Sequence, residues 1–495
     1  MRTKKSILNF LTDAIPFIIL GVLGFIKIRL FIDVFGVEVN SLVQLATQVF
    51  AYLALAEAGF GTAVIYKLYE PLANKNKEQV KSIVKGSIAI FRKIGIIIFI
   101  GGLVVSIVTP FVIKTEELAP IFISIVFFLY SIQYLVDYMF GLPYHTLLQA
   151  DQNKYIVNTF RNGFKIIFRI IEVILITIGF NLIMIILIDI FVALISNLLI
   201  IRKTKKEYSW LNFDNVEADN SAVGITKDVF VHKISSIIFS KTDILILSIF
   251  LNLTAVTIYA AYEYIAKFLT EMMSRFFTAV SASFGNIFAE KKNTNDTYYE
   301  MLAFSFWSTI IICATFQFGI NAFISIWIGN EFVLPFITSF LFTIIIFGRI
   351  LIKPIYVIRD ANGLFKESKM FTIMQAVCNI VLSIIFVQFW GIFGVLLATV
   401  ISSQLILIPF NVKLTYKKVL DKSIFDYYKW YIISFGLFLI LYYINQLVLN
   451  IVSFDNIWVL ILIISIVFVI NIIVITIIFY IINKDFKKFV KRFLK

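Results

Sequence analysis

Residues 15–35 read IPFIILGVLGFIKIRLFIDVF. The run is long enough to cross about 30 Å of hydrocarbon as a helix, yet it carries Lys27 and Arg29 near its middle and Asp33 toward its end. A charge at bilayer depth costs roughly 2.5–3.5 kcal/mol on insertion scales, so it normally faces a bundle interior or a wet cavity. Lys241 and Asp243 sit inside another apolar run, and Glu263, Lys267, Glu271 and Arg275 fall at four-residue spacing inside a third. A spanning protein with a cationic interior points to passage for something anionic.

The rest of the chain agrees with this reading. Of 495 residues, 60% are hydrophobic and 15% charged, which excludes an ordinary soluble globular chain. The first apolar run is too long for a removable signal and lacks a small-residue cleavage site, so it reads as a retained helix. The longest stretch between spans, 202–227, is too short for an independent soluble domain. Cys313, Cys378, His145 and His232 lie too far apart in sequence to predict a metal cluster or a disulfide. No Gly-rich phosphate loop, metal-ligand spacing or Ser-His pair is present, so neither an enzyme nor a bound cofactor is expected.

About fourteen spans are predicted, at 14–35, 41–63, 92–113, 119–140, 161–179, 182–201, 229–250, 254–280, 301–323, 333–357, 368–389, 391–412, 429–449 and 456–482. The formal charge of +14 is distributed by side rather than gathered into a nucleic-acid patch. With a cytoplasmic N-terminus, nearly every loop Lys and Arg falls on one side, and Lys114 is the only basic residue of the opposite loops. Both termini are then cytoplasmic, in a multi-pass protein of the bacterial cytoplasmic membrane. Lys27-Ile28-Arg29 and Lys241-Thr242-Asp243, each followed by a Thr-Ala-Val in the next span, hint at a repeat. The fold class expected is all-α polytopic. It comprises a six-helix bundle in 1–206, a cytoplasmic linker in 207–227, a second six-helix bundle in 228–413, and two extra helices with a basic tail in 414–495.

The charged residues inside these spans are the functional candidates. Arg29, Lys27, Lys241, Lys267, Arg275 and Arg349 are the expected lining of a cationic cavity. Lys27 lies about 18 Å into its helix, too deep to snorkel easily. It points about 200° away from Arg29, whose guanidinium is the better match to phosphate oxygens. Asp33 or a carboxylate on another helix offers a purely structural partner for either. Glu263, Lys267, Glu271 and Arg275 share one helix face, which serves equally as a self-neutralising stripe or as a cavity wall. Glu263, Glu271, Asp137, Asp189 and Asp243 are candidates for coupling to an ion. Tyr259, Tyr262 and Tyr264 near the outer end of their span are placed to stack on sugar rings.

Three short motifs carry a resemblance. ALAEAGFGTA at 54–63, TDILIL at 242–247 followed by IYAAY at 258–262, and QADQN at 149–153 resemble polysaccharide-biosynthesis flippases. These are the O-antigen and capsule repeat-unit translocases of the Wzx type, in the multidrug/oligosaccharidyl-lipid/polysaccharide (MOP) exporter superfamily. Glu57-Ala58-Gly59 departs from the family's more usual Asp-Leu-Gly. The resemblance implies two MATE-like six-helix bundles around a cavity that opens alternately to each side. It further implies an undecaprenyl-pyrophosphate-linked oligosaccharide as cargo, with a polysaccharide polymerase and glycosyltransferases as partners, alongside membrane lipids and H+ or Na+. A lipid II-type flippase, a multidrug or cation antiporter of the same superfamily and a non-transporting membrane scaffold are the alternatives.

Overall fold

Glycines in the left-handed region interrupt what would otherwise be very long apolar helices. The computed structural model describes residues 2–57, 59–113, 115, 117–219, 221, 242–289, 294–449 and 456–493, and every regular element among them is helical. They divide into two units, Met1–Thr257 and Ile258–Lys495.

The first unit contains α1 (Arg2–Phe35), α2 (Val37–Leu53), α3 (Phe60–Ala73), α4 (Lys77–Val112), α5 (Pro120–Val136), α6 (Leu142–Ala150), α7 (Lys154–Thr177), α8 (Leu182–Glu207) and α9 (residues 242–250). The span expected at 41–63 is not one helix. After α2 the chain makes a 3₁₀ turn, Ala54–Glu57, and Gly59 then adopts φ 90°, so α3 starts in a new direction. Glu57 Oε1 accepts from the Gly61 N–H at 3.0 Å and satisfies one of the donors that a helix start leaves open. The π-turn Asp137–Gly141 is milder: its flanks stay right-handed, and it joins α5 to α6 in one continuous helical stretch, Pro120–Ala150. α4 and α5 pack closely, because a side chain at Gly102 would meet the Ser131 Cβ at 2.5 Å.

The second unit contains most of α10 (Leu253–Ala289), then α11 (Thr294–Trp327), α12 (Phe336–Leu351), α13 (Lys353–Ala361), α14 (Phe365–Ile401), α15 (Ile408–Thr415), α16 (Phe425–Leu449), α17 (Ile457–Ile482) and α18 (Lys484–Phe493). Gly391, at φ 54° and ψ −131°, breaks α14 into two arms. The arms run antiparallel: Asn379 donates to Thr399 at 3.0 Å, and Gly394 lies against the Phe386 carbonyl. This reversal falls between the spans expected at 368–389 and 391–412. α16 and α17 are packed into the same unit. α17 holds α11 through Trp307 Nε1 to Thr476 at 3.0 Å and Asn471 to Thr315 at 3.1 Å. α16 lays Tyr431 and Phe438 on Phe347.

The protein is thus an all-α, multi-pass membrane chain. Among the described residues nine helices are long and apolar enough to cross a membrane, against the fourteen spans predicted. The difference has local causes. α2 is only 17 residues long, α7 and α10 carry several charges within their apolar runs, and 367–420 holds two expected spans in one continuous stretch. Most of the span expected at 229–250 lies outside the described residues.

Candidate functional site

In the first unit, charge gathers on a glutamate that the sequence reading did not single out. Glu172 on α7 is 2% exposed and takes Lys27 of α1 at 3.1 Å on one oxygen and Arg169, one turn earlier, on the other. The Lys27 ammonium also lies over the Phe31 ring, 4.5 Å from its centroid. Lys27 is therefore the inward member of the Lys27/Arg29 pair. Arg29 turns to the exposed side and pairs with Asp33 at 2.6 Å. The signal for this cluster was present in sequence: Arg161, Lys165, Arg169 and Glu172 follow the same helical spacing that drew attention to α10. With the span set at 161–179, Arg161 falls at its boundary and reads as loop charge, which breaks the stripe at its first member.

Asp137 and Asp189 each find a partner within this unit. Asp137, in the π-turn, receives Arg161 at 3.0 Å and Asn197 at 2.9 Å. Asp189 on α8 accepts from Gln133 of α5 at 2.7 Å. Asp243 on α9 is 7% exposed, and the neighbouring Thr242 hydroxyl bonds Tyr52. Lys241 lies outside the described residues.

The second unit holds a matching arrangement. Glu263 on α10 is 5% exposed. Arg349 of α12 reaches both of its oxygens, at 3.1 and 3.3 Å, while Lys267 binds at 3.2 Å. The i, i+4 pair expected along α10 is thus joined by a bidentate guanidinium from another helix. Further along, Lys353 donates to Ser274 at 3.1 Å. Glu271 is exposed and Arg275 is half-buried. Each unit therefore centres two cations on one buried carboxylate: Lys27 and Arg169 on Glu172, Lys267 and Arg349 on Glu263.

Two of the three tyrosines at 259–264 of α10 are packing residues, and the third, Tyr264, is half-buried. Tyr259 and Tyr262 are 4% and 0% exposed, with rings 5.6 and 5.5 Å from Phe342. The Tyr262 hydroxyl donates to Asn321 at 2.8 Å and accepts from the Leu334 N–H at 2.9 Å. A ring enclosed on both faces cannot stack on a sugar. QADQN likewise has a structural job: Asp151 accepts from the Tyr208 hydroxyl at 2.6 Å and from Asn153 at 2.8 Å.

With the helices and charges placed, comparison with known proteins defines the fold. No protein-family model matches the sequence, and no curated relative matches it. Solved structures do. The chain is similar to the lipid II flippase MurJ in its inward closed conformation, with a TM-score of 0.71 and 17% identity, over 97% of this chain and 99% of that one. It is also similar to a multidrug resistance MATE family transporter of the MOP superfamily, inward-facing, with a TM-score of 0.63 and 13% identity over 81% of this chain and 96% of that one. A mutant of the Vibrio cholerae MATE transporter VcmN gives a TM-score of 0.58 and 13% identity over 84% and 99%. At these identities the likeness is one of fold: the chain has the fold that these structures share.

Proposed function

We propose that this protein is a flippase for a polyprenyl-pyrophosphate-linked saccharide. In the fuller reading it moves an undecaprenyl-pyrophosphate-linked oligosaccharide repeat unit from the inner to the outer leaflet of a bacterial cytoplasmic membrane. The observation that carries this is the pair of buried glutamates, each held by two cations. A pyrophosphate cannot enter hydrocarbon without neutralisation. A diphosphate oxygen competes with a carboxylate for the same guanidinium and ammonium geometry. Lys27, Arg169, Lys267 and Arg349 are therefore the residues that exchange their glutamate for the cargo, while the polyprenyl tail stays in lipid. Freed glutamates then need a cation, which is how a proton or sodium gradient couples to the cycle.

Fourteen spans with both termini cytoplasmic complete the proposal. The MATE-type structures match 81–84% of this chain and the flippase structure 97%. That difference favours a lipid-linked cargo over a small drug. It also keeps lipid II open as a second cargo, whereas the motifs at 54–63, 149–153 and 242–262 favour a repeat unit. Transport, not bond-making, is the activity, with a polymerase and glycosyltransferases as neighbours in the pathway.

The test places wild type, Lys27→Gln and Arg349→Gln in cells lacking the protein and measures which leaflet holds the lipid-linked oligosaccharide. Cytoplasmic accumulation relieved by wild type, and poorly by variants present at equal membrane levels, supports the reading. Relief of a lipid II block instead selects the second cargo. No accumulation of either lipid in the deleted strain rejects both.

A further inference from the structure

α18 begins where the lipid-facing surface of α17 stops. Ile481 and Ile482 are 76% and 47% exposed, Asn483 caps the next helix through the Asp485 and Phe486 amides at 3.0 and 2.8 Å, and Lys484 follows at once. The ten residues of α18 have two chemically opposite faces. Phe486, 2% exposed, lies against Trp307 with ring centroids 5.7 Å apart and against Phe479 at 5.6 Å. Phe489 packs on Phe304 at 5.1 Å. This aromatic keel fixes α18 beside α11 by burying Phe486 and half-burying Phe489.

The other face carries Lys484, Lys487, Lys488 and Lys491, all exposed and at helical spacing. Lys488 pairs with Asp296 at 3.4 Å, and Lys487 lies over the Tyr480 ring at 5.0 Å. Lys484 and Lys491 have no ion pair among the described residues. A row of ammonium groups thus begins two residues beyond the exposed apolar end of α17, where a spanning helix of this length would reach lipid headgroups. We propose that this lysine face of α18 is a binding site for anionic phospholipid headgroups of the leaflet that α17 leaves at Ile482. Headgroup phosphates and the ammonium row are complementary in charge, and the keel removes the ordering penalty that a free tail would face on binding.

The experiment titrates delipidated, detergent-solubilised full-length protein with phosphatidylglycerol or phosphatidylcholine and counts bound lipid by native mass spectrometry. Wild type should prefer phosphatidylglycerol, and added salt should weaken that preference. K484Q/K487Q/K491Q should lower its apparent affinity by about fivefold per lysine removed. The triple arginine variant at the same positions keeps the charge and should keep the binding. Equal binding of the two lipids by wild type, or undiminished phosphatidylglycerol binding by the glutamine variant, overturns the proposal. So does equal loss in the glutamine and arginine variants, which would report packing rather than charge.

Discussion

Glu263 shows how much one side chain can organise. Removing one partner of a buried ion pair leaves the other charge stranded, at a cost of about 3–5 kcal/mol. Glu263→Ala strands Arg349 and Lys267 together, so unfolding of the solubilised protein should show a loss of that size. Pairing the change with Arg349→Met should restore part of it, since an apolar replacement needs no counter-charge. A titration belongs to this scale too, outside the membrane. The Asp219 carboxyl is held below its ordinary value first by the Ser221 hydroxyl, and further by the Ser221 amide and by Lys67 at 3.5 Å. A carboxylate whose value falls on folding stabilises the fold above its unfolded value, about 3.9, and that contribution is lost as pH falls through the lower folded value. Protection of the Asp219 amide, which bonds the Ser82 carbonyl at 3.1 Å, should therefore persist through neutral and mildly acidic pH. It should fall only below the ordinary carboxylate range, once exchange is corrected for its intrinsic pH dependence.

Elements were legible where a face repeats and illegible where a partner must be known. The charged face of α10 followed from spacing alone, but Arg349, 86 residues away, could not be named as the ligand of Glu263. α7 obeyed the same spacing, and its stripe was overlooked because Arg161 falls at a loop boundary. The break between α2 and α3 was hidden by Ala54, Leu55 and Ala56, which favour helix, while the Gly59-x-Gly61 spacing was its one trace. Gly59→Ala should destabilise the first unit by about 1–2 kcal/mol, because the added Cβ strains a left-handed residue; a thermal shift measures it. After α8, the chain at 213–219 lies on α4: Lys85 donates to the Phe213 and Val216 carbonyls at 3.1 and 2.9 Å, and Ser82 to that of Glu217 at 2.6 Å. A Cβ on Gly86 would stand 2.1 Å from the Asp219 carbonyl oxygen. Gly86→Ala should lift this segment and speed its cleavage in limited proteolysis, with helix content by circular dichroism unchanged.

For the whole molecule, hydropathy disclosed an all-helical multi-pass chain, and the residue motifs pointed to a helical-bundle fold of the kind the solved structures share. They did not disclose that α16 and α17 belong to the core of the second unit. Strongly apolar helices look alike in sequence whether they face lipid or protein, and only contacts such as Trp307 to Thr476 distinguish the two. A chain truncated after Lys422 should therefore accumulate poorly in the membrane, because it uncovers Phe340, Phe347 and Trp307. Normal levels of the truncated chain would make the two helices dispensable to folding.

The hold of α4 on the segment at 213–219 has an evolutionary corollary. Lys85 and Ser82 grip carbonyl oxygens, which every amino acid supplies alike. Substitutions at Phe213, Val216 and Glu217 should thus be nearly silent, whereas the same number at Ser82, Lys85 and Gly86 should not be. Among natural variants of this chain, α4 should be frozen at those three places while the three residues it holds by their carbonyls drift freely.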